Sequence, residues 1–167
     1  MEQHDDPHAR DERYVYFLLR GDFDPDAISR ATGLTPSRAF VKGTRPRPGA
    51  SVRPFSIWIV DSGLAPSDEF HDHLDDLLDR LRPAWEVLRG LAHEHEANID
   101  AAIYCRWSQG PLVQVSPSQS AAIADLGATL GFDIYALPEV EPDGSPGDRL
   151  LTRGELSRLG GLTESDA

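Results

Sequence analysis

The sequence predicts an α+β fold: a two-layer, largely antiparallel sheet with three helices on one face. Three observations support this class. A continuous apolar run of strand length begins at Tyr14, a helix-period apolar stripe occupies residues 67–92, and short strand patterns alternate with helices that begin at proline and end at glycine. The predicted order is strand, helix, two strands, long helix, two strands, helix and strand, and its first half follows the ferredoxin-like order.

The first strand and helix have the clearest local signals. Residues 14–19 are apolar on both faces, which is typical of a central strand. Asp24 and the proline that follows it predict an N-cap and a first helical turn, and Gly33 can end that helix with a positive φ. Residues 38–42 and 55–60, joined by a loop rich in Gly, Pro and Arg, are interpreted as a hairpin with a long loop.

The long helix is predicted at residues 67–92, because eight apolar side chains recur there at spacings of three and four. Pro83 removes a backbone donor and crowds the preceding turn, so we expect a break near Arg82. The stripe consists of Phe70, Leu74, Leu77, Leu78, Leu81, Trp85, Leu88 and Leu91.

The second half of the predicted domain contains a hairpin, a helix and a strand. Residues 99–107 alternate as a strand, and a Gln-Gly-Pro sequence then predicts a turn into a second strand at residues 112–115. A capping-box sequence at residues 116–119 begins a helix, which we expect Gly131 to end before a last strand at residues 132–137.

These elements divide the 167 residues into one domain and two tails. We predict a flexible acidic tail at residues 1–13 and a single α+β domain at residues 14–137. Residues 138–167 are rich in Pro, Gly and acidic residues, and we expect them to be mostly flexible.

The composition restricts the class of partner. The chain carries 28 acidic and 16 basic side chains, for a net charge of −12. Such a charge repels nucleic acid and anionic membrane surfaces, so we expect neither as a partner, whereas a basic protein is favoured. The same acidity is also explained by solubility alone. The single cysteine, Cys105, excludes an internal disulfide and a thiolate metal cluster, and the absence of a signal or membrane-span pattern predicts a cytoplasmic protein.

Several segments together resemble one known family. They are YVYFLLRGDFDPDAISRATGLTPSR, VKGTRP, the strand around Trp58, FHDHLDDLLDRL and LGATLGFDIYAL. With these segments the chain resembles the bacterial family called domain of unknown function 4279 (DUF4279), over about residues 14–137. The resemblance implies a small bacterial α+β domain, and it assigns no catalytic residue.

Four histidines are the first candidate site. His71 and His73 lie two residues apart on the predicted long helix, so their side chains point about 200° apart and cannot chelate one ion together, whereas His71 and Asp75 can. His93 and His95 lie near the negative end of the helix dipole. We interpret all four as helix-face or terminal residues, and we predict no metal site and no cofactor.

A basic, acid-free segment at residues 34–60 is the second candidate. Its cations Arg38, Lys42, Arg45 and Arg53 can bind a phosphate or carboxylate, because arginine offers bidentate geometry. The segment has no phosphate-loop pattern. A solvated loop that pairs with acidic side chains is the competing interpretation.

The third candidate is a sheet face. If the helices cover the face that carries Ile103 and Cys105, other aromatic and basic side chains gather on the opposite face and mark a binding surface or a homodimer interface. A role in completing the core is the competing interpretation. The residues proposed for this face are Tyr16, Trp58, Tyr104, Arg106 and Tyr135.

Two functions follow from these candidates. The sequence contains no nucleophile elbow, and Cys105 lies mid-strand, so catalysis is not favoured and no catalytic residue is assigned. We expect a non-enzymatic binding or protein-interaction domain, of the kind that neutralises a basic partner in immunity-type systems. The alternative is a small-molecule or anion-binding domain, with weak hydrolase activity, built on the basic segment.

Overall fold

A computed structural model of the chain describes residues 11–106 and 111–137, apart from the side chains of Arg106 and Leu137. Of the predicted tail at residues 1–13, residues 1–10 lie outside the described residues, whereas Glu12 and Arg13 begin the first strand. The predicted tail at residues 138–167 and the predicted strand end at Trp107 also lie outside the described residues. The division into a domain and two tails therefore stays a prediction.

The described residues form an α+β fold, which confirms the predicted class, and their strands make one mixed five-stranded sheet. The sheet contains β1 Glu12–Gly21, β2 Arg38–Phe40, β3 Ser56–Asp61, β4 Glu96–Arg106 and β5 Thr129–Leu137. The helices are α1 Pro25–Thr32, α2 Phe70–Leu81, α3 Trp85–Glu94 and α4 Pro117–Leu126, with the 3₁₀ turn Arg82–Ala84 between α2 and α3.

The sheet has the strand order β2-β3-β1-β4-β5. All neighbours pair antiparallel except β4 and β5, which are parallel. From β1 to β4 the elements follow the complete ferredoxin-like order, with β3 inserted between β1 and β2. The helix α4 then returns the chain to add β5 beside β4, because a parallel pair needs a crossover connection.

Local chemistry correctly predicts both ends of α1, the start of α4 and the division of the long helix. The side chain of Asp24 accepts a hydrogen bond from the backbone of Asp26 at the start of α1, and Gly33 ends that helix at φ 68°. Ser116 and Gln119 form a capping box at the start of α4. The predicted long helix is divided at Pro83 by the 3₁₀ turn, which confirms the break near Arg82.

All helices in the described ranges pack on the face of the sheet that carries Val15, Phe17 and Leu19. Six of the eight residues in the predicted stripe of the long helix are buried there, and Trp85 and Leu91 are partly buried against them. The core lies between this stripe and the central strands. None of the helices in the described part of the chain is long and apolar enough to cross a membrane.

Two expectations for the second half were wrong. Residues 112–115 form no strand. Val113 and Val115 instead pack against the core, and β5 pairs with β4. The helix α4 ends at Gly127 rather than Gly131, because Gly127 adopts φ 75° and the backbone bonds from Gly127 to Ala124 and from Ala128 to Ile123 close a Schellman motif.

Candidate functional site

The face of the sheet opposite the helices carries four tyrosines. Tyr14 and Tyr16 lie on β1, Tyr104 on β4 and Tyr135 on β5. In the strand register Tyr16 pairs with Asp100, Tyr14 with Ala102, and Tyr104 with Tyr135, so all four share one face. We call this surface the tyrosine face.

The tyrosines contact one another directly. Tyr104 and Tyr135 stack with their ring centroids 4.8 Å apart and their planes at 12°, and Tyr14 meets Tyr104 edge-on at 6.2 Å. The Tyr14 hydroxyl donates a hydrogen bond of 2.7 Å to Glu12. Tyr135 keeps 42% of its surface exposed at the edge strand. Such an aromatic group offers large, rigid contact area to a binding partner.

Carboxylates lie among these rings. Asp100 is half-buried on β4, next to Gly131 on β5, and Asp133 lies two residues further along β5. Burial raises the pKa of Asp100 above its usual value, and the charges of Asp133 and Glu96 raise it further, whereas Arg20 opposes them. The face therefore holds an acid in an environment that disfavours its charged form.

Arginine side chains cover aromatic rings toward β2 and β3. Arg38 lies over Tyr16 at 5.5 Å from the ring centroid and donates a hydrogen bond of 2.8 Å to Asp61. Arg20 lies over Phe55 at 5.5 Å and pairs with Glu96. These contacts are cation–π interactions, in which the guanidinium packs on the negative face of the ring.

The structure brings together three of the five residues predicted for the sheet face. Tyr16, Tyr104 and Tyr135 lie on the tyrosine face. Trp58 does not: it pairs with Leu19, points into the helix-covered core and is fully buried, with its indole donating to Ser29 over 3.0 Å. Arg106 ends β4, and its side chain lies outside the described part of the structure.

The four predicted anion-binding cations are distributed among separate partners. Arg38 pairs with Asp61, and Lys42 pairs with Asp22. Arg45 donates to the carbonyl of Ala50. Arg53 lies over Phe40 at 4.4 Å and donates to Thr44 over 3.2 Å. Two of the four positive charges are thus already paired with carboxylates, as the solvated-loop interpretation expects.

The histidines differ from one another in their surroundings. His73 is 1% exposed; its Nε2 donates to the carbonyl of Ala65 over 3.0 Å, and its Nδ1 accepts from the Ser62 hydroxyl at 2.5 Å. Burial lowers the pKa of His73 below its usual value of 6.5. Its two hydrogen bonds attach the loop after β3 to α2.

The other histidines lie at the surface or against an aromatic ring. His71 contacts Asp72 over 3.1 Å, and the ring of His95 lies 5.1 Å from that of Phe23. His93 is exposed in the last turn of α3. Within residues 11–106 and 111–137, no group of three or more His, Cys, Asp or Glu side chains is placed to hold a metal ion.

Cys105 and Ser62 are two of the nucleophilic side chains among the described residues. Cys105 is buried, and its burial raises the pKa of the thiol, so the reactive thiolate is disfavoured at neutral pH. Ser62 bonds His73, but the nearby backbone amides of Gly63 and Ala65 already donate to the carboxylates of Asp76 and Asp68. A nucleophilic serine needs free hydrogen-bond donors nearby to stabilise an oxyanion, whereas the amides of this loop are already bonded to carboxylates.

The sequence analysis missed Tyr14, Asp100 and Asp133. The signal for them is strand alternation: Tyr14 shares its face with Tyr16, Asp100 shares its face with Tyr104, and Asp133 shares its face with Tyr135.

Comparison with known proteins identifies the family. The family model described as a domain of unknown function (DUF4279) matches residues 11–137. The chain belongs to this family. The match covers every described element and confirms the resemblance seen in the opening and closing segments. No curated protein and no solved structure matches the chain.

Proposed function

We propose that this DUF4279 chain is a non-enzymatic protein-interaction domain of the bacterial cytoplasm, and that its tyrosine face binds a basic polypeptide. An immunity-type role, in which the acidic face neutralises a basic toxin, is the form of this activity that we favour. The observation that carries the proposal is the combination, on one sheet face, of contacting tyrosines with a surplus of carboxylates.

The charges on the face support a basic partner. Arg20 pairs with Glu96, and Arg38 pairs with Asp61. Three further acids, Glu12, Asp100 and Asp133, belong to the same face by register and form no ion pair with any described residue. The surplus is negative, so it attracts cationic surfaces, speeds their association and disfavours acidic partners.

The size of the face is also appropriate. Five strands about 4.8 Å apart, with the longest containing 11 residues, give a surface of roughly 600–800 Å². A standard protein–protein interface takes about 800 Å² from each partner. One sheet face can therefore supply most of a stable interface.

The anion-binding alternative has weaker support. Its four cations do not surround a common point but bind separate groups of the chain, two of them carboxylates. An incoming anion would have to displace these partners. The geometry therefore favours the protein-interaction proposal over a small-molecule site or a weak hydrolase.

Site-specific photo-crosslinking tests the proposal. We would place benzoylphenylalanine at Tyr135, in the tyrosine face, and at Val87, which is 39% exposed on α3, in the organism that encodes the chain. The proposal expects a basic polypeptide crosslinked from position 135 and not from position 87. After purification, that polypeptide should bind the chain, and its affinity should fall as the salt concentration rises. Equal crosslinking from both positions, or binding independent of salt, would overturn the proposal.

A further inference from the structure

Small residues occupy the centre of the tyrosine face. Ala102 lies between Tyr14 and Asp133, and Gly131 lies beside Asp100. A Cβ added at position 131 would overlap the Asp100 carboxylate, so this carboxylate lies across the bare backbone of β5.

Two carboxylates lie beside these small residues without a partner among the described residues. Asp100 and Asp133 are diagonal neighbours on the parallel strands β4 and β5, close enough that the charge of Asp133 raises the pKa of Asp100. No residue in the described ranges donates a hydrogen bond to either carboxylate or forms an ion pair with it. A half-buried acid without a hydrogen-bond donor is costly to keep charged, and an incoming cation removes that cost.

We propose that Asp100 and Asp133, set among Tyr14, Tyr104 and Tyr135, form a binding site for the guanidinium group of an arginine side chain on the basic partner. This inference rests on the proposed function and names the group that the tyrosine face recognises. A guanidinium fits better than an ammonium because its planar fork can reach two carboxylates at once while its face stacks on a ring.

The chain itself makes the same kind of contact elsewhere on this face. Arg38 lies over Tyr16 while it bonds Asp61, and Arg20 lies over Phe55 while it bonds Glu96. Each contact combines one guanidinium, one ring and one carboxylate. Asp100, Asp133 and the neighbouring tyrosines supply the carboxylates and the ring, and the partner supplies the guanidinium.

The test uses a small probe and the full chain. We would titrate acetyl-arginine amide into the ¹⁵N-labelled protein and follow the backbone amides of β4 and β5 by NMR. Acetyl-citrulline amide, which has the same shape without the charge, and acetyl-lysine amide, which has the charge without the planar fork, are the comparison probes. The arginine probe should shift the amides around Asp100 and Gly131 at millimolar concentration, the lysine probe should bind more weakly, and the citrulline probe should leave them unchanged.

Matched variants separate the site from general attraction. Asp100→Asn and Asp133→Asn should each weaken binding of the arginine probe about threefold to tenfold. Glu94→Gln changes the net charge equally at an exposed position at the end of α3 and should leave that affinity unchanged. Absence of arginine-specific shifts at 50 mM probe, or equal weakening by Glu94→Gln, would overturn the inference.

The two proposals fail separately. If the arginine probe binds at Asp100 but no polypeptide crosslinks from position 135, the site stands and the partner proposal falls. If a basic polypeptide crosslinks there but Asp100→Asn and Asp133→Asn leave its affinity unchanged, the interaction stands and the guanidinium site falls.

Discussion

The carboxylate of Asp100 costs the protein stability at neutral pH. Burial and the charges of Asp133 and Glu96 raise its folded-state pKa above 3.8, so the fold favours the protonated acid. The stabilisation from protonation is complete below pH 3.8 and is lost as pH rises through the folded-state pKa. Asp100→Asn should therefore raise the free energy of unfolding at pH 7, measured by urea denaturation. The gain should shrink toward pH 3.5, and a loss of stability at pH 7 would contradict this account.

His73 has the opposite pH dependence. Its burial lowers the folded-state pKa below 6.5, so its contribution to stability is complete above pH 6.5 and is lost as pH falls through the folded-state value. His73→Asn can still accept from Ser62 but cannot take up a proton. The wild type should lose more stability than this variant between pH 7.5 and pH 5 in urea denaturation. Equal slopes of unfolding free energy against pH would exclude His73 as the cause.

At the scale of elements, Gln119 joins α4 to α2. Its side chain closes the capping box with Ser116 and donates to the Asp75 carboxylate over 2.7 Å and to the carbonyl of His71 over 3.1 Å. Gln119→Ala removes these bonds from a site that is 4% exposed, and we expect it to cost about 2 kcal/mol. Ser120→Ala, one residue further along and exposed, should be neutral. Equal melting temperatures for the two variants would contradict this role.

The elements with local signals were predictable and those that depend on pairing were not. Asp24, Gly33 and Pro83 act on their own turns of the chain, so the sequence predicts where α1 begins and ends and where the long helix divides. Trp58 lies in a strand that is apolar on both faces. Alternation of polar and apolar residues therefore does not indicate that its side chain points to the core. The parallel addition of β5 to β4 joins segments about 30 residues apart, and no local pattern encodes it.

At the scale of the whole molecule, the net charge of −12 favours binding of a basic partner over binding of a second copy of the chain. If two tyrosine faces met, Asp100 and Asp133 of one copy would lie opposite acids of the other copy. Their repulsion disfavours self-association, and salt should strengthen self-association because it screens that repulsion. Binding of a basic polypeptide should respond to salt in the opposite direction. We therefore expect the chain to sediment at its monomer mass of 18.4 kDa in 20 mM and 150 mM NaCl. A homodimer that forms at 20 mM NaCl and is lost when Tyr135 is replaced by aspartate would show instead that the face pairs two copies.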